Sequence, residues 1–432
     1  MAASEVLHRI DAPQQFDLDK CVHCGLCLNA CPTYRELGVE MDSPRGRVYQ
    51  MVKVAAGELP ISDSYIEHID LCLACRGCES ACPSGVQYGK LVEAARAEIE
   101  NKRERGAVER LVRGVVFNHI LPSPTAIRFV ARLLWLYQRS GLQVLVRSTG
   151  LLKPFGLEKA ERLSPAVETP FFYDSYGRVF PAEGQRRYRV AMLGGCIANV
   201  FFARLNEATV RVLQKNGCEV TVPADQGCCG ALHVHSGLAE GARALARKNI
   251  DALLGGGYDA IITNAAGCGS TLKEYGELLE HDTRYAGRAH EFSRLMKDVN
   301  EFLASIELNT KLGSLPYTVT YQDSCHLAHG QKIKAAPRKL LRFIPGLTFR
   351  EMPLSDVCCG SAGIYNVLQP EMATALLEKK MGSVELTRAQ VIVTANPGCM
   401  LQLRAGAAQF GHGERVAHVV EILDEAYRAA HH

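Results

Sequence analysis

The sequence contains no long apolar run and little net charge. No stretch reaches the roughly 18 uncharged apolar residues that cross a membrane. The segment from Met1 to Lys20 has four acids and no apolar centre, unlike a secretion signal. The net charge is +3 at pH 7, so bulk electrostatics give no reason to expect nucleic acid as a partner. These absences predict a cytoplasmic protein.

Signatures of catalysis are also missing. No G-x-G-x-x-G closes a first predicted strand, which excludes the usual dinucleotide-binding turn, and no acid–base constellation stands out. We therefore assign no catalytic residue. With 432 residues, 47% of them hydrophobic and 22% charged, the composition is that of a globular protein of two or three domains.

Cysteine is the residue type in clear excess, with seventeen in the chain. Eight of them form two runs of identical spacing, each closed by a proline: Cys21, Cys24, Cys27, Cys31 and Cys72, Cys75, Cys78, Cys82. Clustered cysteines of this kind indicate metal ligands in a reducing compartment, not disulfides. In two-cluster ferredoxins with this spacing, the fourth cysteine of each run ligates the other cluster.

We therefore predict two interleaved [4Fe–4S] clusters. The first would be held by Cys21, Cys24, Cys27 and Cys82, and the second by Cys72, Cys75, Cys78 and Cys31. The forty residues between the runs have helical patterns, so residues 1–106 are predicted to form a helical ferredoxin domain. Arg45 and Arg47 in this segment would either donate to cluster sulfurs or form surface salt bridges.

Residues 107–185 are predicted to be a basic helical linker. Arg110 to Leu157 contains seven basic residues, no acid and the chain's single tryptophan. Ile127 to Gln138 is markedly apolar, and two interpretations of it stay open. Such a helix can lie on an anionic membrane or a partner subunit, or it can pack its apolar side on neighbouring domains. The prolines and glycine between Leu163 and Gln185 predict an extended segment.

From residue 186 onward the sequence repeats itself. Four cysteines of the first copy recur in the second at offsets of 129 to 131 residues: Cys196, Cys228, Cys229, Cys268 and Cys325, Cys358, Cys359, Cys399. Strand-like and helical patterns alternate in both copies. The repeat predicts two duplicated α/β domains, residues 186–310 and 311–432, each around a mostly parallel sheet. The cysteines then lie on loops that follow strands.

Adjacent cysteines suit neighbouring metals of one cluster, and the glycine after each pair lets the backbone approach closely. We predict one further iron–sulfur cluster in these domains and favour the second copy. Asp323 and His326 flank its leading cysteine, and Ser361 to Gly363 are small, whereas Leu232 and His233 crowd the first copy. Polar, roomy surroundings suit a cluster that exchanges electrons.

Other interpretations of these residues stay open. Four thiolates also satisfy zinc, and free cysteines are often buried in cores without metal. Cys218 has no counterpart and is interpreted as a buried small side chain. His235 and His329 lie near the repeated motifs, where each would serve as a proton relay or as a structural histidine.

Together these motifs resemble the family of the iron–sulfur subunit of bacterial glycolate oxidase, a glycolate dehydrogenase. The resemblance extends essentially end to end. It includes Cys21-Val22-His23-Cys24, the run Asp42 to Arg47, Cys72 to Gly85, and both Cys-Cys-Gly domains. It implies a complex in which flavin-containing subunits take the hydride from a 2-hydroxy acid. This chain would pass single electrons to a quinone or another acceptor, with possible peripheral contact to the cytoplasmic face of the inner membrane.

The chain is also similar to a broader family that includes a redox subunit of the anaerobic glycerol-3-phosphate dehydrogenase and heterodisulfide reductase subunits. In heterodisulfide reductases each Cys-Cys-Gly domain ends in Cys-x-x-Cys. Here Ala265 and Asn396 stand at the earlier position, which argues against a five-cysteine noncubane cluster and thiol–disulfide chemistry. A further alternative is a scaffold whose carboxy-terminal domains bind no metal.

Overall fold

A computed structural model describes residues 11–153, 161 and 164–430. The predictions for the first ten residues, for the end of the basic stretch (154–157) and for residues 162–163 lie outside the described residues. Among the described helices, none is both long and apolar enough to cross a bilayer.

The amino-terminal domain is helical, as the sequence predicts. Ser43 and Ser62 cap two of its helices by accepting hydrogen bonds from backbone N–H groups, and Pro44 fits the first helical turn because its missing N–H is not needed there. The helices are Gln15–Leu18, Pro32–Leu37, Pro44–Ala55, Asp63–Asp70, Gly77–Ser80 and Tyr88–Lys102, with 3-10 turns at Leu28–Ala30 and Glu40–Asp42.

Arg47 lies in the interior of this domain, fully buried. Its guanidinium donates to the carbonyl oxygen of His68 (2.6 Å), to Thr33 Oγ1 (3.2 Å) and to Asp42 Oδ1 (3.4 Å). The surface salt bridge is therefore wrong for Arg47, because its buried cation joins three segments. Donation to cluster sulfur stays a prediction; burial lowers the pKa of Arg47, and the nearby thiols of Cys72 and Cys31 raise it above its usual value. Arg45, in contrast, forms an exposed ion pair with Glu40, as one of the two alternatives stated.

The linker is helical over its described part, in Ala107–Gly114, the π-helical turn Val115–Ile120, Pro124–Arg139 and Leu142–Thr149. Ile127 and Ala131 pack against Phe171 and Tyr173 next to the first α/β domain. The predicted extended segment holds a 3-10 turn at Phe172–Ser175 and a short strand ahead of residue 186.

Two sheets follow, one in each copy of the repeat. Their strands are β1 (Val179–Phe180), β2 (Tyr188–Met192), β3 (Cys218–Thr221), β4 (Ala260–Thr263), β5 (Met296–Asp298), β6 (Thr318–Tyr321), β7 (Thr348–Glu351), β8 (Val391–Thr394) and β9 (Arg415–His418). The orders are β1-β3-β2-β4-β5 and β7-β6-β8-β9. All pairs are parallel except β1–β3. Without β1 the two orders are identical, which confirms the duplicated α/β fold.

Helices cover these sheets, as parallel strands require. In the first α/β domain they are Ala198–Phe201, Ala203–Lys215, Ala231–His235, Ala239–Leu253, Ala266–Lys273, Tyr275–Leu278, Ala286–Leu295 and Val299–Ser305. In the second they are Ala335–Arg342, Tyr365–Leu368, Pro370–Glu385, Pro397–Gln409 and Val419–Ala429, with a π-helical turn at His326–Gly330.

The two α/β domains share one hydrophobic core. Residues of β2 and β6 belong to the same buried cluster, and helix Ala203–Lys215 packs against helix Val419–Ala429. At this contact Arg211 donates to Asp424 (2.8 Å), while the amide of Asn216 donates to the Tyr427 hydroxyl (3.1 Å). The duplicated domains therefore form one packed body.

Replacing Arg47 with methionine should destabilise the amino-terminal domain by about 3 kcal/mol, because buried Asp42 would lose the guanidinium and keep only the His68 ring as a basic partner. The apparent melting temperature of the cluster-loaded chain measures this. Arg45→Met is the matched control at the exposed pair and should change the melting temperature little. Equal shifts in the two variants would contradict the interior role of Arg47.

Candidate metal centres

The first predicted ferredoxin site is brought together from two distant segments. Cys21, Cys24 and Cys27 lie on the loop before the turn Leu28–Ala30, and Cys82 joins them from the end of helix Gly77–Ser80. Burial raises the pKa of the Cys21 thiol, and the nearby thiols of Cys82 and Cys24 raise it further. Burial, with the thiols of Cys21 and Cys82 close by, raises the pKa of Cys27 to about 11.

The second site likewise takes its fourth cysteine from the other run. Burial raises the pKa of Cys78 well above its usual range, with further contributions from the thiols of Cys75, Cys72 and Cys31. Cys31 therefore lies with the second run and not with its own. The structure places all eight cysteines in the two predicted groups; that they bind clusters remains a proposal.

Both cysteine loops turn in the same unusual way. His23 and Ala74, each two residues after the leading cysteine, have positive φ angles of 54° and 50°. Gly25 and Arg76, one residue after the second cysteine, have φ angles of 82° and 62°. Left-handed backbone is costly for residues other than glycine. The shared strain turns the loop so that backbone N–H groups face thiols: the N–H of Ala74 donates to Cys72 Sγ at 3.4 Å.

The donor set fits iron–sulfur clusters better than single ions. Each site offers four thiols and nearby N–H donors, the groups that hold and tune [4Fe–4S] clusters. Zinc needs four donors around one ion. Across the part of the chain that the structure describes, no three potential ligands converge closely enough to hold one metal ion. A cluster takes one thiolate per iron, so its thiols stand further apart.

The repeated cysteines form one chain of contacts in each α/β domain. In the second, the thiol of Cys358 neighbours those of Cys325 and Cys359, and Cys359 in turn neighbours Cys399. The first copy has the same order: Cys196, Cys228, Cys229, Cys268. Gly360, with φ of 88°, could not carry a Cβ, which would stand 2.5 Å from the carbonyl oxygen of Ala373. The backbone at Gly360, directly after the cysteine pair of the second copy, therefore approaches its neighbour as closely as predicted.

The surroundings of the two copies differ in charge. Lys380 is 2% exposed, and its ammonium donates to the carbonyl oxygens of Leu354 (2.7 Å) and Ser355 (3.2 Å) beside the second cysteine pair. Among the described residues it forms no ion pair. Asn249 occupies the matching position of the first copy and donates to the carbonyl oxygen of Cys228 at 2.8 Å. A buried cation favours an anionic neighbour, so negative charge on the cysteine pair would be balanced better beside Lys380 than beside Asn249.

The two copies also differ in what covers them. Leu73 of the second cysteine run shares an apolar cluster with Cys325 and Cys358. Burial raises the pKa of the Cys75 thiol, and the nearby thiol of Cys358 raises it further. The first copy instead lies under the linker, where Cys196 and Cys228 pack with Ile127. The second copy thus adjoins the second ferredoxin site.

Asn396 connects the two α/β sites at the position where the related reductases carry a cysteine. Its amide nitrogen donates to Cys399 Sγ (3.4 Å), and its amide oxygen accepts from the N–H of Gly267, next to Cys268 (3.2 Å). The side chain acts as a hydrogen-bond donor to a candidate ligand and not as a ligand.

The histidines named by the sequence have structural partners. His329 bonds the carbonyl oxygen of Asp356 (2.9 Å) and the Ser80 hydroxyl (2.8 Å), and His235 bonds Glu93 (2.9 Å). The structural interpretation is therefore favoured over proton relay. Cys218 is fully buried in the first sheet, as expected for a small core side chain.

Sequence reasoning missed Arg76 and Lys380. Arg76 donates to Glu79 (3.1 Å) and Ser270 (3.3 Å) and pairs with Glu274, so it ties the second cysteine loop to the first α/β domain. A signal was present, since arginine replaces the glycine found at this loop position in the first run. Lys380 carried no such signal, because lysine in a helix is usually exposed.

Comparisons with known proteins agree with this layout. Residues 17–86 match the family described as "4Fe-4S dicluster domain", residues 190–273 and 319–404 match "Cysteine-rich domain", and residues 108–164 match "Glycolate oxidase iron-sulfur subunit, linker region". A dicluster domain holds two [4Fe–4S] clusters, the number predicted from the two cysteine runs.

Two relatives are similar across nearly the whole chain, and a third across about half of it. The probable glycolate oxidase iron–sulfur subunit of Bacillus subtilis (strain 168) is 42% identical over 417 residues, 95% of this chain and 94% of that protein. The glycolate oxidase iron–sulfur subunit of Escherichia coli (strain K12) is 35% identical over 412 residues, with the same coverage. Lactate utilization protein A of Oceanobacillus iheyensis is 30% identical over 237 residues, 55% of this chain and 96% of that protein.

Cys82→Ser should lower both iron content and stability, because cluster binding is coupled to folding and this residue joins two distant segments. Iron per chain and the melting temperature measure the effect. Cys218→Ser makes the same chemical change at a buried cysteine outside the sites and should keep its iron. Normal stability and full iron content in Cys82→Ser would refute the expectation.

The second α/β copy should hold a cluster at Cys325, Cys358, Cys359 and Cys399. We expect Cys358→Ser to lose iron, and Cys228→Ser, the matched change in the first copy, to retain it. Iron and sulfide analysis of the purified chain decides between them, because two clusters supply about eight irons and a third adds more. Loss of iron in Cys228→Ser alone would assign the cluster to the first copy.

Proposed function

Because the chain belongs to the glycolate oxidase iron–sulfur subunit family, we propose that it relays electrons within a glycolate dehydrogenase complex. Flavin-containing subunits oxidise glycolate or another 2-hydroxy acid, and this chain passes their electrons one at a time to a quinone or another acceptor. When bound, the iron–sulfur clusters supply the one-electron chemistry. The protein's residues hold the clusters, shield them from water and set their surroundings.

The observation that carries the proposal is the sequence of sites from the surface to the interior. Cys24 of the first ferredoxin site is exposed, whereas Cys72 and Cys78 of the second are buried. The two sites are necessarily neighbours, because Cys27 and Cys31 belong to one short segment and serve different groups. The second site in turn adjoins the cysteines of the second α/β domain. This order supports a linear route.

The charge of the large open groove supports placing substrate oxidation on a partner. The groove, about 980 Å³, lies between helix Tyr88–Lys102 and the first α/β domain. Eight carboxylates line it against three cations, and Lys90–Glu277 (2.8 Å) and Arg247–Asp282 (2.7 Å) are paired. An anionic 2-hydroxy acid would be repelled there. Hydride transfer is therefore assigned to the flavin subunit.

Asn396 and Ala265 also weigh against a substrate-cleaving enzyme of the heterodisulfide reductase type. A side chain that donates to Cys399 Sγ cannot replace the missing thiolate. The related possibility, a redox subunit like that of anaerobic glycerol-3-phosphate dehydrogenase, differs in the flavoprotein partner and not in this chain's role. Co-purification with identification of the flavoprotein distinguishes it.

The direct test uses the complex isolated from its host. On addition of glycolate under anaerobic conditions, the electron paramagnetic resonance signals of reduced clusters in this chain should appear within turnover time. A complex whose flavin is reduced while these clusters stay oxidised would reject the electron-relay function. A complex that responds to another 2-hydroxy acid instead of glycolate would keep the relay and change the substrate.

The exposed rim of the first site should be where the flavoprotein delivers electrons. Val22 and Leu26 flank Cys24 and are 67% and 62% exposed. Val22→Glu with Leu26→Glu should slow electron transfer from the flavoprotein by about tenfold, because two uncompensated charges oppose close docking. Stopped-flow reduction of the clusters measures the rate, and the iron content should stay normal. Leu386→Glu, at a 74% exposed leucine far along the chain, is the control; equal slowing there would contradict the prediction.

A further inference from the structure

The linker helices carry an apolar surface that the rest of the described chain leaves uncovered. Of the 24 large hydrophobic side chains that are exposed in the described residues, 12 lie between Val108 and Leu151, about a tenth of the chain. Isolated exposed apolar residues are normal, but a concentration of this kind marks an interaction surface.

Helix Pro124–Arg139 has two apolar faces and not one. Its inner face buries Ile127 and Ala131 against the neighbouring domain. Its outer face presents Phe129, Leu133 and Leu136, which are 63%, 52% and 57% exposed. These three residues are spaced four and three apart, so they form one stripe along the helix. The packing interpretation therefore accounts for only one side of the helix.

Cations flank the same stripe. Arg132 and Arg139 are exposed and share the face of Phe129, Leu133 and Leu136, a set that we call the outer linker face. Neither arginine pairs with a carboxylate in the described chain, although Arg139 lies over the ring of Trp135. Arg128 and Arg147, by contrast, are held by Asp174 and Glu161.

The two neighbouring linker helices also expose apolar side chains. Val108, Leu111 and Val112 form an exposed stripe on helix Ala107–Gly114, and Leu142 and Leu145 are exposed on helix Leu142–Thr149. From Arg110 to Leu157 the sequence has no acid at all. The linker thus offers apolar stripes. Arg113, Arg128 and Arg147 are paired with acids from outside this stretch, so the unpaired positive charge beside the central stripe is that of Arg132 and Arg139.

We propose that the outer linker face binds the surface of an anionic phospholipid membrane. Apolar side chains would enter the boundary between headgroups and acyl chains, while Arg132 and Arg139 reach the lipid phosphates. The helix would lie in the interface, since no described helix is long and apolar enough to cross it. A second copy of the chain is a poorer occupant, because a symmetric contact would set these arginines against their own copies.

The test is flotation of the cluster-loaded chain with vesicles. The chain should bind vesicles of phosphatidylglycerol and phosphatidylcholine, bind pure phosphatidylcholine much less, and lose binding as salt rises. Arg132→Glu with Arg139→Glu should weaken binding on the order of a hundredfold, because each basic residue near an anionic surface contributes strongly. Phe129→Ser, Leu133→Ser and Leu136→Ser together should weaken it at least about tenfold.

Matched controls change the same residue types elsewhere. Arg284→Glu with Arg294→Glu, both exposed on the first α/β domain, and Leu368→Ser with Leu386→Ser should leave vesicle binding unchanged. Each variant must keep its iron content and melting temperature. Absence of vesicle binding, or binding that the linker variants leave intact, would overturn the proposal.

Loss of the flavoprotein from the complex in the linker variants, without any vesicle binding by the parent chain, would also overturn it and make this face a subunit interface. The proposal is independent of electron transfer, since cluster reduction by the flavoprotein is measured without vesicles. Failure of either idea therefore leaves the other standing.

Discussion

The crossing of the two cysteine runs is the constraint on which the rest of the structure depends. Cys31 leaves its own run for the second group, and Cys82 leaves the second run for the first. The two loops must therefore lie side by side, and the helices between them are folded back to permit it. The buried guanidinium of Arg47 joins three segments between the two runs by donating hydrogen bonds to Thr33, Asp42 and His68. The second cysteine loop contacts the α/β domains, through Leu73 at the second copy and Arg76 at the first.

The sequence predicted the repeated features and the helical linker, and missed the single buried charges. Regular cysteine spacing was enough to assign the two groups, and constant offsets were enough to predict two duplicated α/β domains; the strand orders came from the structure. Burial of Arg47 could not be foreseen, because its partners lie up to 21 positions away and its type is usually exposed. The same holds for Lys380, whose proximity to the cysteine pair depends on how helix Pro370–Glu385 packs.

The duplicated domains illustrate how equal sequences acquire unequal roles. Both keep four cysteines in the same order of contacts, but their neighbours differ. The second copy has a buried ammonium and the ferredoxin loop beside it; the first has a neutral amide and a covering linker. Small residues after the cysteine pair suggested this difference from the sequence. The stronger reasons to favour the second copy are the buried Lys380 and the nearby second cysteine loop, and both became visible only in the structure.

The short strand β1 separates the boundary of the sequence repeat from the boundary of the folding unit. β1 lies ahead of residue 186 and pairs along the outer edge of β3, whereas no strand among the described residues pairs with that edge of β7, the equivalent of β3. A fragment cut where the repeat begins would expose unpaired backbone on β3, which invites edge-to-edge aggregation. A lone first α/β domain made for spectroscopy should therefore begin before Val179, while the second copy still depends on the first for its shared core.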